Sequence, residues 1–587
     1  MKKTIFLIFL VLISNINTHL TRFQEMKQLR ALKQAQNFLE NLTPLFQDRL
    51  NYKPIIPNII KDLDKIKIEN GPRTDPLSDQ KELKKLFGNI YGQPISEITE
   101  GNDPDIHRKL RVGVILSGGN APGGHNVIAG LYDALKEANK ENVLIGFKGG
   151  AQGILDNDYI QIDDELMNKY RNTGGFDMLG SGRTKIETPS QMDKAFNVIN
   201  ELHIDAVVVV GGDDSNTNAA LLAEFFKSKG SDVTFVGVPK TIDGDLKNEY
   251  IETSFGFDTA TKTYAELVGN IQRDAISSRK YWHFVKIMGR SASHVALEVA
   301  LKTQPTFTII SEEIKEKRLT LTQVAGQIAD LVELRAKRGC KFGVVIVPEV
   351  LLEFVPEMNA LIQELNELLI EQKKQYSKLK TWKDQKEFVL SNISVKAGQT
   401  FETLPESIAR QLLLDRDPHG NVNVSAIETE KLLSDIVKTI LIQRKSKVPF
   451  NPVHHFFGYE GRSAFPSNFD ATYCYALGRT AMILSALKKT GQMAIVSNLN
   501  ANAEEWKAGG FPLTSMMNME KRGGNTIPVI QKALVDLKSP PFEFFADHRE
   551  KWSRGDQMFA FPGAIQYYGD KEIADQPTKT LLLEKGE

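Results

Sequence analysis

Apolar residues along the chain fall into two spacings. Short, largely apolar runs at residues 112–116, 206–210, 234–238, 283–288, 343–347 and 493–497 read as buried parallel strands, the last of them closing the body. Between them the period lengthens, so that Val127, Ile128, Leu131 and Leu135 share one helical face. This alternation predicts a parallel sheet with helices on both faces. From 353 to 446 only the helical period remains. Met358, Leu361, Ile362, Leu365, Leu368 and Leu369 form one stripe, and Ser425 and Glu428 stand at capping-box spacing ahead of another helix. This stretch is expected to be a helical insertion. Residues 26–107, charged and broken by clusters such as "NGPRTDPLSD", read as an arm of helical or irregular structure. No internal repeat or low-complexity tract interrupts the pattern.

The totals remove several classes of function. With 587 residues, 41% hydrophobic and 25% charged, the chain is long enough for several structural units and ordinary for a folded protein. Lys and Arg total 73 and Asp and Glu total 73, so no global basic field holds nucleic acid or anionic lipid, and any anion site must be local. Two cysteines, Cys340 and Cys474, exclude a disulfide scaffold and favour a reducing, cytoplasmic setting. The first 25 residues argue otherwise, because "MKKTIFLIFLVLI" has the layout of a signal peptide, short for a membrane span. Met26 is an equally good start. Cytoplasmic location without a membrane partner is therefore expected, with targeting by the apolar segment as the alternative.

Three predicted strands run into turns rich in glycine and charge. The first, "SGGNAPGG" at 117–124, suits a phosphate seat, because glycine admits a ligand to the backbone and the following helix presents free N–H groups. The second, "GGDDSNTN" at 211–218, adds two carboxylates ahead of a helix expected after Asn216. The third, "VPKTIDGD" at 238–245, offers Lys240 and Thr241 to an anion and Asp243 or Asp245 to a proton or a metal ion. Any one is ordinary turn composition. Together, at the carboxyl ends of parallel strands, they are the parts of a phosphoryl-transfer site. Asp213 is placed to be the single carboxylate that phosphate-bound Mg²⁺ asks of a protein, and Asp243 to accept the proton of an attacking hydroxyl.

The stretches "SGGNAPGGHN", "GGDDSNTNA", "PKTIDGD", "SFGFDTA", "KYWHFVKIMGRSASH" and "GYEGRSAFPS" resemble the phosphofructokinase family, specifically its long pyrophosphate-dependent branch and its catalytic rather than regulatory chain, over roughly residues 85 to 530. The resemblance implies an α/β, phosphofructokinase-like fold of two Rossmann-like parallel-sheet domains with an α-helical insertion. A donor domain would span 108–285, a sugar-phosphate domain 286–352 and 447–535, and the insertion 353–446. The segments 1–25, 26–107 and 536–587 would be the apolar N-terminus, the arm and a C-terminal tail. The implied reaction is Mg²⁺-dependent, reversible transfer of a phosphoryl group from pyrophosphate to the 1-hydroxyl of fructose 6-phosphate.

By motif, the resemblance makes Asp213 the Mg²⁺-associated residue and Asp243 the proton acceptor, with Lys240, Asp214 and Arg290 completing the catalytic set. Gly118 and Gly119 would meet the donor, with Arg183 and Lys185 of "GSGRTK" adding positive charge. Thr241 and Ile242 would line the sugar. Met288, Gly289 and Arg290 would hold its phosphate together with Glu349, Tyr459, Glu460, Gly461 and Arg462. Lys280 and Tyr281 match a pair that in this family reaches the sugar phosphate from a neighbouring subunit, which implies a homo-oligomer of at least two chains or a hetero-oligomer with a related chain. Members using ATP carry Gly where Asp214 and Lys240 stand. Asp214 would then repel a nucleotide's α-phosphate, and Lys240 would stabilise pyrophosphate and the leaving phosphate. ATP-dependent phosphorylation and a non-catalytic regulatory role are the alternatives. His454 and His455 read as a packed or surface pair, residues 415–421 as a turn, and His294 as a residue orienting backbone near Arg290.

Overall fold

The computed structural model describes residues 43–414, 422–522, 525–555 and 558–563. The apolar N-terminus and the 415–421 turn lie outside them. Among the described residues the chain forms two principal sheets. The larger has the order β1 (Ile66–Arg73), β2 (Pro94–Glu100), β14 (Lys507–Pro512), β13 (Gln492–Ser497), β7 (Thr234–Thr241), β6 (Ala206–Gly211), β3 (Arg111–Leu116), β4 (Val143–Phe147), β5 (Tyr159–Ile162), with β8 (Phe255–Gly256) on the end of β7. Strands β13, β7, β6, β3 and β4 are mutually parallel, and the outer strands run antiparallel. The four valines of β6 are buried, as a strand covered on both faces requires, and each contributes roughly 1.5–3 kcal/mol relative to exposure.

The second sheet has the order β10 (Phe307–Thr308), β11 (Gly343–Pro348), β9 (Trp282–Ile287), β12 (Pro452–Phe457), parallel throughout. Residues 447–535, expected to lie wholly with this sheet, divide between the two. Strand β12 pairs with β9, whereas β13 and β14 cross back to pair with β7 and β2. The strand at 493–497 is therefore not the last, and a hairpin, β15 (Met517–Arg522) with β16 (Asn525–Ile530), follows. The arm also departs from expectation, because β1 and β2 extend the first sheet.

The described residues between 353 and 446 are mostly helical, and all six residues of the predicted stripe are buried on Pro356–Glu371. The capping box does not form. The later helix is Thr429–Gln443, and the Glu428 carboxylate instead accepts a hydrogen bond from Gln411 Nε2 at 3.0 Å. The tail carries a helix, Pro540–Arg554, whose Phe542, Phe545 and Trp552 pack against Leu297, Ala300 and Ile310.

Helices α1 (Gly124–Ala138) and α4 (Asn468–Ala486) cross at glycine. A Cβ on Gly478 would stand 2.1 Å from Val127 O. Buried Asp470 in the first turn of α4 accepts hydrogen bonds from the N–H groups of Gly256 and Thr259. That contact holds the start of α3 (Phe257–Ser278), whose Tyr264 hydroxyl donates to Gly458 O in the second sheet's site loop.

Candidate active site

Strands β3, β6 and β7 are neighbours, so their three carboxyl-end turns lie side by side. Helix α2 (Asp213–Ser228) begins earlier than expected. Asn216 Nδ2 donates to Gly211 O at 2.7 Å and Gly212 O at 2.9 Å, which folds the glycines into the helix entrance. Asp213 and Asp214 thus occupy the first helical turn, where free N–H groups favour negative charge. Ser215 Oγ donates to Ser117 Oγ at 2.8 Å and ties this turn to the first.

Gly118, at φ +83°, uses the left-handed region, and a side chain there would also come 3.1 Å from Lys240 Nζ. Lys240 is buried and donates to Gly119 O at 2.8 Å. Burial lowers its ammonium to about 8, and the Arg290 charge adds to the effect.

Across the cleft, β11, β9 and β12 are adjacent and in register, with Pro348, Ile287 and Phe457 level. Their ends deliver Glu349, Met288–Arg290 and Gly458–Arg462 to one place. Gly289 N donates to Glu349 Oε2 at 2.8 Å. Burial pushes the Glu349 carboxyl up, against the Gly289 N–H and the Ser425 hydroxyl. Arg290 Nε lies 3.6 Å from Asp243 Oδ2, and that carboxylate holds the guanidinium above its ordinary range. A cavity of about 1090 Å³ is lined by Arg183, Met288, Arg290, Glu349, Tyr459 and Arg462, among others.

The comparisons decide the family. The phosphofructokinase family model matches residues 111–394. The pyrophosphate–fructose 6-phosphate 1-phosphotransferase of Entamoeba histolytica is 63% identical over 545 residues, covering 93% of this chain and 100% of that protein. The chain belongs to the phosphofructokinase family. The protein of the same name from Treponema pallidum is 50% identical, over 93% of this chain and 97% of its own. The crystal structure of a pyrophosphate-dependent phosphofructokinase from Nitrosospira multiformis superposes with TM-score 0.50 at 16% identity, covering 76% of this chain and 92% of that one, and shows the phosphofructokinase fold.

Several expected site residues of this family member sit differently from their motif reading. Ile242 is buried in the core beneath its turn. The Glu460 carboxylate turns back to accept from Gly458 N at 2.8 Å, and Gly461 makes room for Tyr264, 2.6 Å from where its Cβ would be. Lys185 Nζ is 3.0 Å from Asp214 Oδ1. Lys280 and Tyr281 precede β9, whereas Met288 to Arg290 follow it, so about 20 Å of strand separates them within one chain. His294 Nε2 bonds Ala533 O at 3.0 Å, holding the segment after the hairpin rather than the Arg290 loop. His454, exposed, lies with its Nε2 2.7 Å from Ser434 Oγ, and His455, half-buried, stacks on His283.

Motif reading missed a second layer. Lys286, 4% exposed, donates to Ser425 O and Ile427 O and lies 3.7 Å from Glu430 Oε2, joining the insertion to the second sheet. Asp245, read from the sequence as an alternative to Asp243, is raised by burial to about 6, and the Asp243 charge adds to the rise. Lys532 Nζ approaches Asp213 Oδ2 at 3.6 Å.

Proposed function

We propose that the chain transfers a phosphoryl group reversibly between pyrophosphate and the 1-hydroxyl of fructose 6-phosphate, yielding fructose 1,6-bisphosphate and phosphate. The observation that carries this reading is the meeting of the Lys240–Asp243 turn with the Met288–Arg290 loop, which puts a carboxylate and two cations at the seam of the sheets. In the forward direction the sugar oxygen forms a bond to the terminal phosphorus, its proton passes to Asp243, and the bond to the bridging oxygen breaks to release phosphate. Lys240 remains protonated below pH 8 and stabilises the charge that gathers on donor and leaving group. Glu349 fixes the Gly289 backbone, and Arg290, Arg462 and Tyr459 hold the sugar phosphate.

Among the described residues no group of three or more His, Cys, Asp or Glu could hold a metal ion by itself. Asp213 faces the site as one carboxylate, which fits Mg²⁺ carried in on pyrophosphate oxygens. That ion would supply charge neutralisation to the donor. Asp214, held by Lys185 at 3.0 Å, would by the family resemblance repel the continuation of a longer nucleotide donor, which favours pyrophosphate over ATP. The separation of Lys280 and Tyr281 from the loop at the far end of β9 favours their serving a second copy's site, hence an oligomer. Among the described residues no helix is long and apolar enough to cross a membrane, and Cys340 and Cys474, both buried and neither in a disulfide, accord with the cytoplasm. The direct test is to purify this chain alone and measure fructose 1,6-bisphosphate formed from fructose 6-phosphate, Mg²⁺ and pyrophosphate. Absence of product from a folded chain would overturn the reading and favour a regulatory role.

A further inference from the structure

We propose that Lys532 is a catalytic residue of this transfer, its ammonium group contacting the phosphoryl group in flight. The proposal rests on the transfer reaction argued above and adds a cation that lies outside the quoted family motifs. Lys532 follows the β15–β16 hairpin, more than 300 residues beyond Asp213, yet its Nζ lies 3.6 Å from Asp213 Oδ2 on the donor side. The same atom donates to Ser291 Oγ at 2.7 Å on the sugar side. One ammonium group therefore spans the seam where donor and acceptor must meet, and it lines the cavity that holds Arg290, Glu349 and Arg462.

Its backbone is fixed from both halves. Ala533 N donates to Asp245 O at 2.7 Å, His294 Nε2 bonds Ala533 O at 3.0 Å, and Val535 N donates to Glu312 Oε1 at 3.1 Å. The side chain itself is 36% exposed, toward the cavity. The buried Lys286–Glu430 pair is as long, at 3.7 Å, but Lys286 is closed off from solvent, whereas Lys532 keeps an open face on the cavity. The in-flight phosphoryl group spreads its charge over three equatorial oxygens, and positioned cations are what stabilise it. Lys240 and Arg290 supply two, and Lys532 supplies a third. It transfers no proton and stays protonated throughout, so the atoms and electrons of the step are unchanged.

The test compares Lys532→Met and Lys532→Arg with the full-length wild type by steady-state kinetics. It also measures, by titration calorimetry, binding of aluminium fluoride in the presence of Mg²⁺, fructose 6-phosphate and inorganic phosphate, a mimic of the planar phosphoryl group. Loss of the charge should lower kcat about 100- to 1000-fold while each KM stays within about threefold. Affinity for the mimic should fall by a similar factor, and Lys532→Arg should recover at least about a tenth of kcat. Should Lys532→Met fail to fold, Lys532→Gln carries the same expectation. Wild-type kcat within about threefold in the neutral variants, or equal weakening of substrates and mimic, overturns the assignment. A wild type inactive with pyrophosphate fails the transfer reading itself, whereas an active wild type with indifferent variants fails only Lys532.

Discussion

Lys185 Nζ lies 3.0 Å from Asp214 Oδ1 and 3.8 Å from Glu187 Oε1, so the carboxylate in the first turn of α2 is anchored from the neighbouring loop. This changes how donor choice is read. A free aspartate could swing aside for a longer donor, whereas one tied to Lys185 keeps its place unless the pair breaks. The pair is partly exposed, so its strength is modest, and on the proposed reading exclusion of a nucleotide would come from occupied volume together with charge.

Asp243→Ala should lower turnover about 100- to 10,000-fold, with KM for fructose 6-phosphate nearly unchanged, because it removes the proton acceptor and leaves the Glu349 and Arg462 contacts in place. Steady-state kinetics in both directions checks this. Near-normal turnover would remove Asp243 from its role.

Lys240 gives the pH profile a sign. Burial lowers its folded value to about 8, so its positive charge is present below that pH and lost above it. In an unfolded chain lysine titrates near ~10.4, so the stability cost of burying the charge is full below about pH 8 and is relieved as pH rises from about 8 to ~10.4. kcat/KM for pyrophosphate should therefore fall above about pH 8, reporting the free enzyme. In Lys240→Arg, which cannot lose its proton in this range, the limb should disappear, and its persistence would assign the limb to another group.

The Lys286–Glu430 pair should matter to both fold and sugar binding. Both side chains are under a tenth exposed, so Lys286→Met strands the Glu430 carboxylate and should cost about 3–5 kcal/mol. The melting temperature should fall, and KM for fructose 6-phosphate should rise as Ser425 and Glu349 lose their register. Adding Glu430→Gln should restore much of the stability. A single variant as stable as the wild type would show that the pair carries no such load.

Mixing chains that carry Tyr281→Ala with chains that carry Asp243→Ala tests the shared site. If Tyr281 serves the neighbouring copy, random dimers should recover up to about a quarter of wild-type activity. Mixtures shown by native mass measurement to be hetero-oligomers, yet without activity, would place Tyr281's function within its own chain.

The legible parts of this molecule were local in sequence. Asp213, Lys240 and Asp243 each stand within a few residues of a buried strand end, so periodicity found the strand and composition found the turn. Lys532, Ser425 and Glu430 reach the cavity lined by Arg290 and Glu349 from segments with no turn signature, and only tertiary contact brings them in. The start of α2 was misplaced because Asn216, a residue that also favours turns, is spent here on capping the carbonyls of Gly211 and Gly212. Strand 493–497 had the right period, yet a period carries no information about which sheet accepts the strand. The expected capping box failed because Gln411, which hydrogen-bonds both the Glu428 carboxylate and its backbone N–H, competes for it.

The central claim is that pyrophosphate is the donor and that Asp214 enforces it. The measurement is the ratio of kcat/KM for pyrophosphate to that for ATP, with fructose 6-phosphate and Mg²⁺, in the wild type, Asp214→Gly, Lys240→Gly and the double variant. The wild-type ratio should exceed about 1000, Asp214→Gly should lower it by about tenfold or more as Lys185 is freed to meet a nucleotide phosphate, and the double variant should favour ATP most. A wild type that uses ATP as well as pyrophosphate, or an Asp214→Gly ratio equal to that of the wild type, would contradict the account.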